Sequence, residues 1–136
     1  MADVAELEFE VPPWWAVLGD VERERLRQDA KWGEQNHPDG THDSYTLRAE
    51  AERRLADNAA KHGSLTWRHI LAEEFYEALA EEDPVKLRAE LIQVAAVAAA
   101  WVEAIDRRTG ECETSEDESG YESACECDTH LKALSE

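Results

Sequence analysis

Three carboxylates and one amide are spaced to converge between two helices. The first group is Glu74 and Glu77, with Glu73 beside them; the second is Glu90 and Gln93. Helical residues three or four apart share a face, so Glu74 pairs with Glu77 and Glu90 pairs with Gln93. The short Glu82-Asp83-Pro84 connection makes the two helices adjacent and antiparallel. Glu77 is then expected opposite Glu90 near the turn, and Glu74 opposite Gln93 one turn away. Ile70, Leu71, Phe75, Ala78 and Leu79 mark the apolar side of the first helix, so Glu74 lies at its margin and points inward, while Glu73 and Glu81 continue toward the exposed side. Carboxylates drawn out of water need a compensating positive charge. A divalent metal is one solution. Mg²⁺ takes oxygen ligands in octahedral geometry and keeps waters and substrate phosphates among them. Such an ion acidifies water and clamps phosphate oxygens. Glu73 is the spare carboxylate that would orient or deprotonate that water. Gln93 offers an oxygen but no charge. The competing interpretation is a solvated acidic helix face paired with Lys and Arg.

The elements that position these residues are helical. Acidic Met1 to Pro13 reads as a loosely held arm, which Trp14, Trp15, Val17 and Leu18 would dock. Asp20 is the expected cap of a first helix, Val21 to Lys31, stopped at Gly33. Gly33 to Asp43 is loop chemistry. Asp43 or Ser44 should cap a second helix, Tyr45 to Lys61, ended by His62-Gly63. Ser64 or Thr66 should cap a third, Trp67 to Glu81. Asp83-Pro84 starts a fourth, with Asp as cap and Pro in the first turn. That helix is expected to run to about Arg108, with Leu87, Leu91, Val94, Ala98, Trp101 and Ile105 as its packed stripe. No strand or repeat pattern is present. The fold class that follows is all-α, a compact bundle of about four helices, with an arm over 1–19, a helical domain over 20–108 and an acidic tail over 109–136 expected to be loosely attached.

The formal net charge of −18 on 136 residues argues against direct binding to nucleic acid or to an anionic membrane. It suits a metal site, a DNA-mimic role, or simple solubility. The longest uncharged run, Leu91 to Val102, is shorter than the roughly 20 residues a membrane span needs. An acidic start without an apolar run and three late cysteines lead to the expectation of a reduced, cytoplasmic setting.

Arg27, Lys31, Arg53, Arg54, Lys61, Arg107 and Arg108 are the scarce cations of the body that could reach phosphates, although most serve more simply as partners for the acids. Trp32 could stack on a base or belong to the core. His37, between Gly33 and Gly40, lies in a loop able to close over a ligand. Cys112, Cys125, Cys127 and His130 have zinc-ligand types, but Cys125-x-Cys127 is too tight for a zinc knuckle, so free thiols are expected. No Walker-type phosphate loop or nucleophile elbow is present.

The run Glu73-Glu74-x-x-Glu77, then Glu90-x-x-Gln93, resembles the MazG-like all-α nucleoside triphosphate pyrophosphohydrolases. Their pattern is Glu-Glu-x-x-Glu on one helix and Glu-x-x-Asp on the next. Arg27-Gln28-Asp29-Ala30-Lys31-Trp32-Gly33-Glu34-Gln35, Trp67-Arg68-x-Ile70-Leu71 and Leu87-Arg88-x-Glu90-Leu91-x-Gln93-Val94-Ala95-Ala96-Val97 are similar to segments of the small actinobacterial and phage members. The resemblance spans about Val21 to Arg108. It implies Mg²⁺- or Mn²⁺-dependent cleavage between the α- and β-phosphates of an NTP or dNTP, giving a nucleoside monophosphate and pyrophosphate. It implies Glu74, Glu77 and Glu90 as metal ligands, with Gln93 standing where the family has Asp. It also implies a homodimer or a dimer of dimers, which would cover the Ala-rich fourth helix. Lys31, Trp32 and His37 are the expected substrate contacts and Glu73 the catalytic carboxylate. The alternatives are a non-catalytic nucleotide-binding protein on the same scaffold, which Gln93 favours, and an acidic interaction protein.

Overall fold

A computed structural model of the chain describes residues 10–113, with side chains through 110. It is all-helical, with four α-helices in the order α1 (Trp14–Trp32), α2 (Thr46–Lys61), α3 (Trp67–Ala80) and α4 (Pro84–Glu113), and no strand among the described residues. The chain divides into two compact units, Met1–Glu103 and Ala104–Glu136. The first holds α1, α2, α3 and α4 as far as Glu103, with α2 packed on α3.

Helix α1 starts at Trp14, well before the expected Val21. Pro13 takes a helical φ of −53°, and the Trp15 N–H reaches the Pro12 carbonyl at 2.9 Å. A proline fixes φ near the helical value and has no N–H to leave unpaired, so it opens a helix well. Asp20 pairs with Arg23 one turn on and caps nothing. Of the four residues expected to dock this segment, Val17 is buried, while Trp14, Trp15 and Leu18 stay exposed. The helix ends at Gly33, whose positive φ and N–H bond to the Asp29 carbonyl turn the chain into the loop.

The loop returns at His42, whose N–H bonds the Leu79 carbonyl at the end of α3 (2.9 Å). A 3-10 turn over Asp43–Tyr45 leads into α2. The His42 ring caps that turn by accepting from the Ser44 N–H, and α2 itself has no side-chain cap, so neither Asp43 nor Ser44 caps it as expected. Helix α2 buries Ala49, Glu52, Ala56 and Ala59, a stripe at steps of three, four and three, and packs on α3. Gly63 ends it with φ of 69°.

Thr66 caps α3 through a reciprocal pair with His69: the Thr66 hydroxyl accepts from the His69 N–H, and the His69 ring accepts from the Thr66 N–H. Asp83 caps α4, its carboxylate accepting from the Val85 and Lys86 N–H groups at 2.9 and 3.1 Å. Trp67 at the start of α3 stacks on Trp101 of α4. With the tight turn at Asp83-Pro84, that stack holds the two helices side by side along the length of α3.

The register of α4 differs from expectation. Leu87, Glu90, Val94, Val97 and Trp101 are buried or half-buried, whereas Leu91 and Ala98 are exposed. Apolar residues occupy both sides of this helix, so its sequence period is ambiguous, and the tight turn together with the Trp67–Trp101 stack selects one of the two stripes. In the second unit, α4 continues past the expected end at Arg108, and the Thr109 hydroxyl back-bonds to the Ile105 and Asp106 carbonyls. Residues 1–9, the rest of the acidic tail, and the zinc-type side chains of Cys112, Cys125, Cys127 and His130 lie outside the described residues. No described helix is long and apolar enough to cross a membrane.

Candidate metal centre

Of the four residues expected to converge between α3 and α4, the three glutamates do and Gln93 stays exposed. One carboxylate oxygen from each of Glu74, Glu77 and Glu90 lies within 4.8 Å of the other two. Two of these residues are one turn apart on α3; the third comes from the first turns of α4. All three are half-buried. The position of Glu90 follows from the cap at Asp83, which fixes where α4 begins, and from burial of Leu87 one turn before it.

The cluster is electrostatically strained. Oxygen Oε2 of Glu74 is buried without a hydrogen-bond partner. Burial, and then the nearby charges of Glu77, Glu73 and Glu90, push the Glu74 carboxyl above its ordinary value, with Arg53 opposing them. Burial and Glu77 raise Glu73 as well. Three converging carboxylates make a hard-oxygen donor set that fits Mg²⁺ or Mn²⁺ and does not suit a soft metal.

Glu73 is not one of the three converging ligands. It is less exposed than its place on the helix suggests, and Arg53 Nε of α2 lies 3.6 Å from it. The Nη2 of Arg53 bonds Glu77, so one guanidinium spans two carboxylates of α3. Gln93 is exposed, and its side-chain amide N–H donates to Glu90 Oε2 at 3.0 Å. It therefore orients Glu90 while adding no charge to the cluster.

A recess of about 260 Å³ opens beside the carboxylates, lined by Thr46, Glu50 and Arg53 of α2 together with Glu77, Glu81 and Glu90. Trp32 and His37 line a separate recess of about 550 Å³ with Glu34, Gln35 and Asn36. There Lys31 Nζ lies over the Trp32 ring at 4.7 Å, and the His37 ring is 3.1 Å from Gln35 Oε1. The structure thus gathers Glu74, Glu77 and Glu90 in one place and Lys31, Trp32 and His37 in another.

Sequence reasoning left Arg53 as one of seven cations and did not single out Glu50 or Glu81 as lining residues. A signal for Arg53 existed. It lies four residues after Ala49 and three before Ala56, both buried against α3, so it falls at the edge of the packed face. Comparison with protein-family models, with curated proteins and with solved structures finds no match to this chain.

Proposed function

We propose that this chain is a Mg²⁺- or Mn²⁺-dependent nucleoside triphosphate pyrophosphohydrolase of the MazG-like kind, acting in the cytoplasm as a homodimer or dimer of dimers. The observation that carries the proposal is the cluster of Glu74, Glu77 and Glu90, in which Glu74 also has a buried oxygen without a hydrogen-bond partner. The resemblance of the Glu-Glu-x-x-Glu and Glu-x-x-Gln runs to that family supports it.

In this reading Glu74, Glu77 and Glu90 would hold the ion, which would supply positive charge to phosphate oxygens and lower the pKa of water. Water adds to one phosphorus of the α–β bridge, the bridging P–O bond breaks, and a nucleoside monophosphate and pyrophosphate separate. Glu73 takes the proton that water loses. Its raised pKa makes it a better base than an ordinary surface carboxylate. The amide of Gln93 holds Glu90 in place. The recess beside the cluster is too small for a whole nucleotide and suits a phosphate group.

Self-association has its own support. Leu91, Ala95, Ala98 and Val102 are exposed at steps of four, three and four on α4, the spacing of a helix-packing seam. Leu91 is 50% and Val102 39% accessible. The described core consists of small residues and a few larger ones, Val17, Ala49, Ala56, Ala59, Ala78 and Leu87, which is thin for a stable monomer.

The test is a pyrophosphate-release screen over NTPs, dNTPs and modified nucleotides with each metal. Release by the wild type, lost in Glu74→Ala and Glu77→Ala, is the expected result; no turnover across the panel would overturn the reading. The second reading, nucleotide binding without turnover, is favoured by the neutral Gln93. Under it, Gln93→Asp would create a turnover that the wild type lacks.

A further inference from the structure

The carboxylate cluster already holds a cation of the protein's own. Arg53 reaches from α2 to bond Glu77 and approach Glu73, and Glu77 is also one of the three converging residues. The Arg53 side chain is 55% exposed, and besides these charges Asp57 of its own helix also attracts it. It is also the single cation among the residues lining the 260 Å³ recess, against the carboxylates of Glu50, Glu77, Glu81 and Glu90. A phosphate entering that recess meets strong repulsion unless a positive group faces it.

We propose that Arg53 is the phosphate-binding residue of this site, held in the metal-free protein by Glu73 and Glu77 and freed for phosphate when a divalent ion takes over Glu77. This rests on the metal-centre reading above. The physical argument is competition for one carboxylate. A divalent ion bound through Glu77 offsets the negative charge that holds the guanidinium and repels it as a like charge. Arg53 then lines the recess with its donors unsatisfied, and a guanidinium matches phosphate oxygens in a two-pronged geometry. Metal loading and phosphate capture are thereby coupled, and the released Glu73 is left without its cation, as a base requires.

Two measurements on the full chain test this. The first is titration with Mn²⁺ alone, without nucleotide, followed by calorimetry. Arg53→Gln removes the competing cation and should tighten Mn²⁺ binding about two- to fivefold, the range expected of a partly exposed ion pair. The second is pyrophosphate release at saturating metal. Arg53→Gln should raise KM for the triphosphate about tenfold, more than it lowers kcat, and Arg53→Lys should recover part of the loss, as expected for a charge-assisted contact to phosphate. Weaker or unchanged Mn²⁺ binding in Arg53→Gln, or an unchanged KM, would overturn the inference and leave Arg53 as a structural ion pair. Equal and unaltered circular dichroism of wild type, Arg53→Gln and Arg53→Lys keeps misfolding out of the comparison. If the wild type binds no Mn²⁺, the metal-centre reading falls and this inference with it. If it binds Mn²⁺ without turnover, only the pyrophosphohydrolase reading falls, and the Mn²⁺ titration decides the exchange.

Discussion

Glu52 and Glu74 are both drawn out of water, yet only one of them is given a partner. Glu52 is 7% accessible on the face of α2 that packs against α3. Arg48, one turn earlier on the same helix, bonds it at 2.7 Å, and the Arg48 guanidinium also lies over the Tyr76 ring of α3. Its charge is balanced within α2, where the other buried residues are alanines. Glu74 lies between α3 and α4 among three other carboxylates, with one oxygen buried and unpaired. A protein that can bury Glu52 with a private counter-charge has the means to do the same for Glu74. That it leaves Glu74 short, with Arg53 spanning Glu73 and Glu77 instead, separates a carboxylate balanced for packing from the one that the proposed function assigns to an outside cation.

The largest difference between the two should appear in activity. Glu74→Gln keeps the shape of the side chain and removes its charge, and it should lower pyrophosphate release by about 100-fold or more, the scale of losing a positioned group at a reacting centre. Glu52→Gln, on the packed face of α2, should leave release by the folded protein within about twofold of wild type. Equal losses in both variants, measured with folded fractions matched, would erase the distinction.

The second effect is on stability. Mg²⁺ at about 100 times its dissociation constant should stabilise the wild type by about 2.7 kcal/mol, read by urea denaturation with and without EDTA. Glu74→Gln should lose most of that gain, and Glu52→Ala should keep it. Without metal, Glu52→Ala should cost about 1–2 kcal/mol through the lost hydrogen bond and ion pair. If Mg²⁺ stabilises Glu74→Gln as much as wild type, the ion is not held at this cluster.

These two regions were unequally legible in the sequence. Residues Glu74, Glu77 and Glu90 were readable because helical spacing and a capped turn, Asp83-Pro84, fix which residues of α3 and α4 can meet. Gly63 and Thr66 were readable for the same reason: each carries local backbone chemistry. Glu52 was not. A Glu four residues after an Arg looks like a surface pair, and only the packing of α2 on α3 buries it. The stripe on α4 was misjudged at Leu91 and Ala98, because a helix apolar on two sides does not announce which side faces inward. The start of α1 was missed because Pro12-Pro13 reads equally as the end of an arm and the opening of a helix.

A smaller effect concerns Gln93. Its amide donates to Glu90 but leaves the cluster one charge short of four carboxylates. Gln93→Asp should tighten Mn²⁺ binding by about five- to tenfold through the added charge, and should destabilise the metal-free protein, since Glu90 would lose a donor and face a like charge. Calorimetric titration beside EDTA denaturation reads both signs. An aspartate that leaves both unchanged would mean that position 93 lies outside the reach of the ion.

The smallest effect, and the one most specific to the comparison, is on pH. Burial and the charges of Glu77, Glu73 and Glu90 raise the Glu74 carboxyl in the folded state, against the opposing charge of Arg53. A carboxyl raised on folding binds its proton more tightly in the native than in the unfolded chain. Stability therefore falls as pH rises through the interval between the ordinary 4.5 and the raised native value. Below 4.5 Glu74 is neutral in both states and the penalty is absent; above the raised value it is present in full. Metal-free Glu74→Gln should accordingly gain on wild type as pH goes from 4 to 7.5, although the same variant is expected to lose pyrophosphate release. The Glu73 carboxyl is raised as well, by burial and then by the charge of Glu77. Denaturation in EDTA across that interval gives the difference directly. A flat difference would mean that Glu74 is as comfortable as Glu52, and the cluster would then need no cation beyond Arg53.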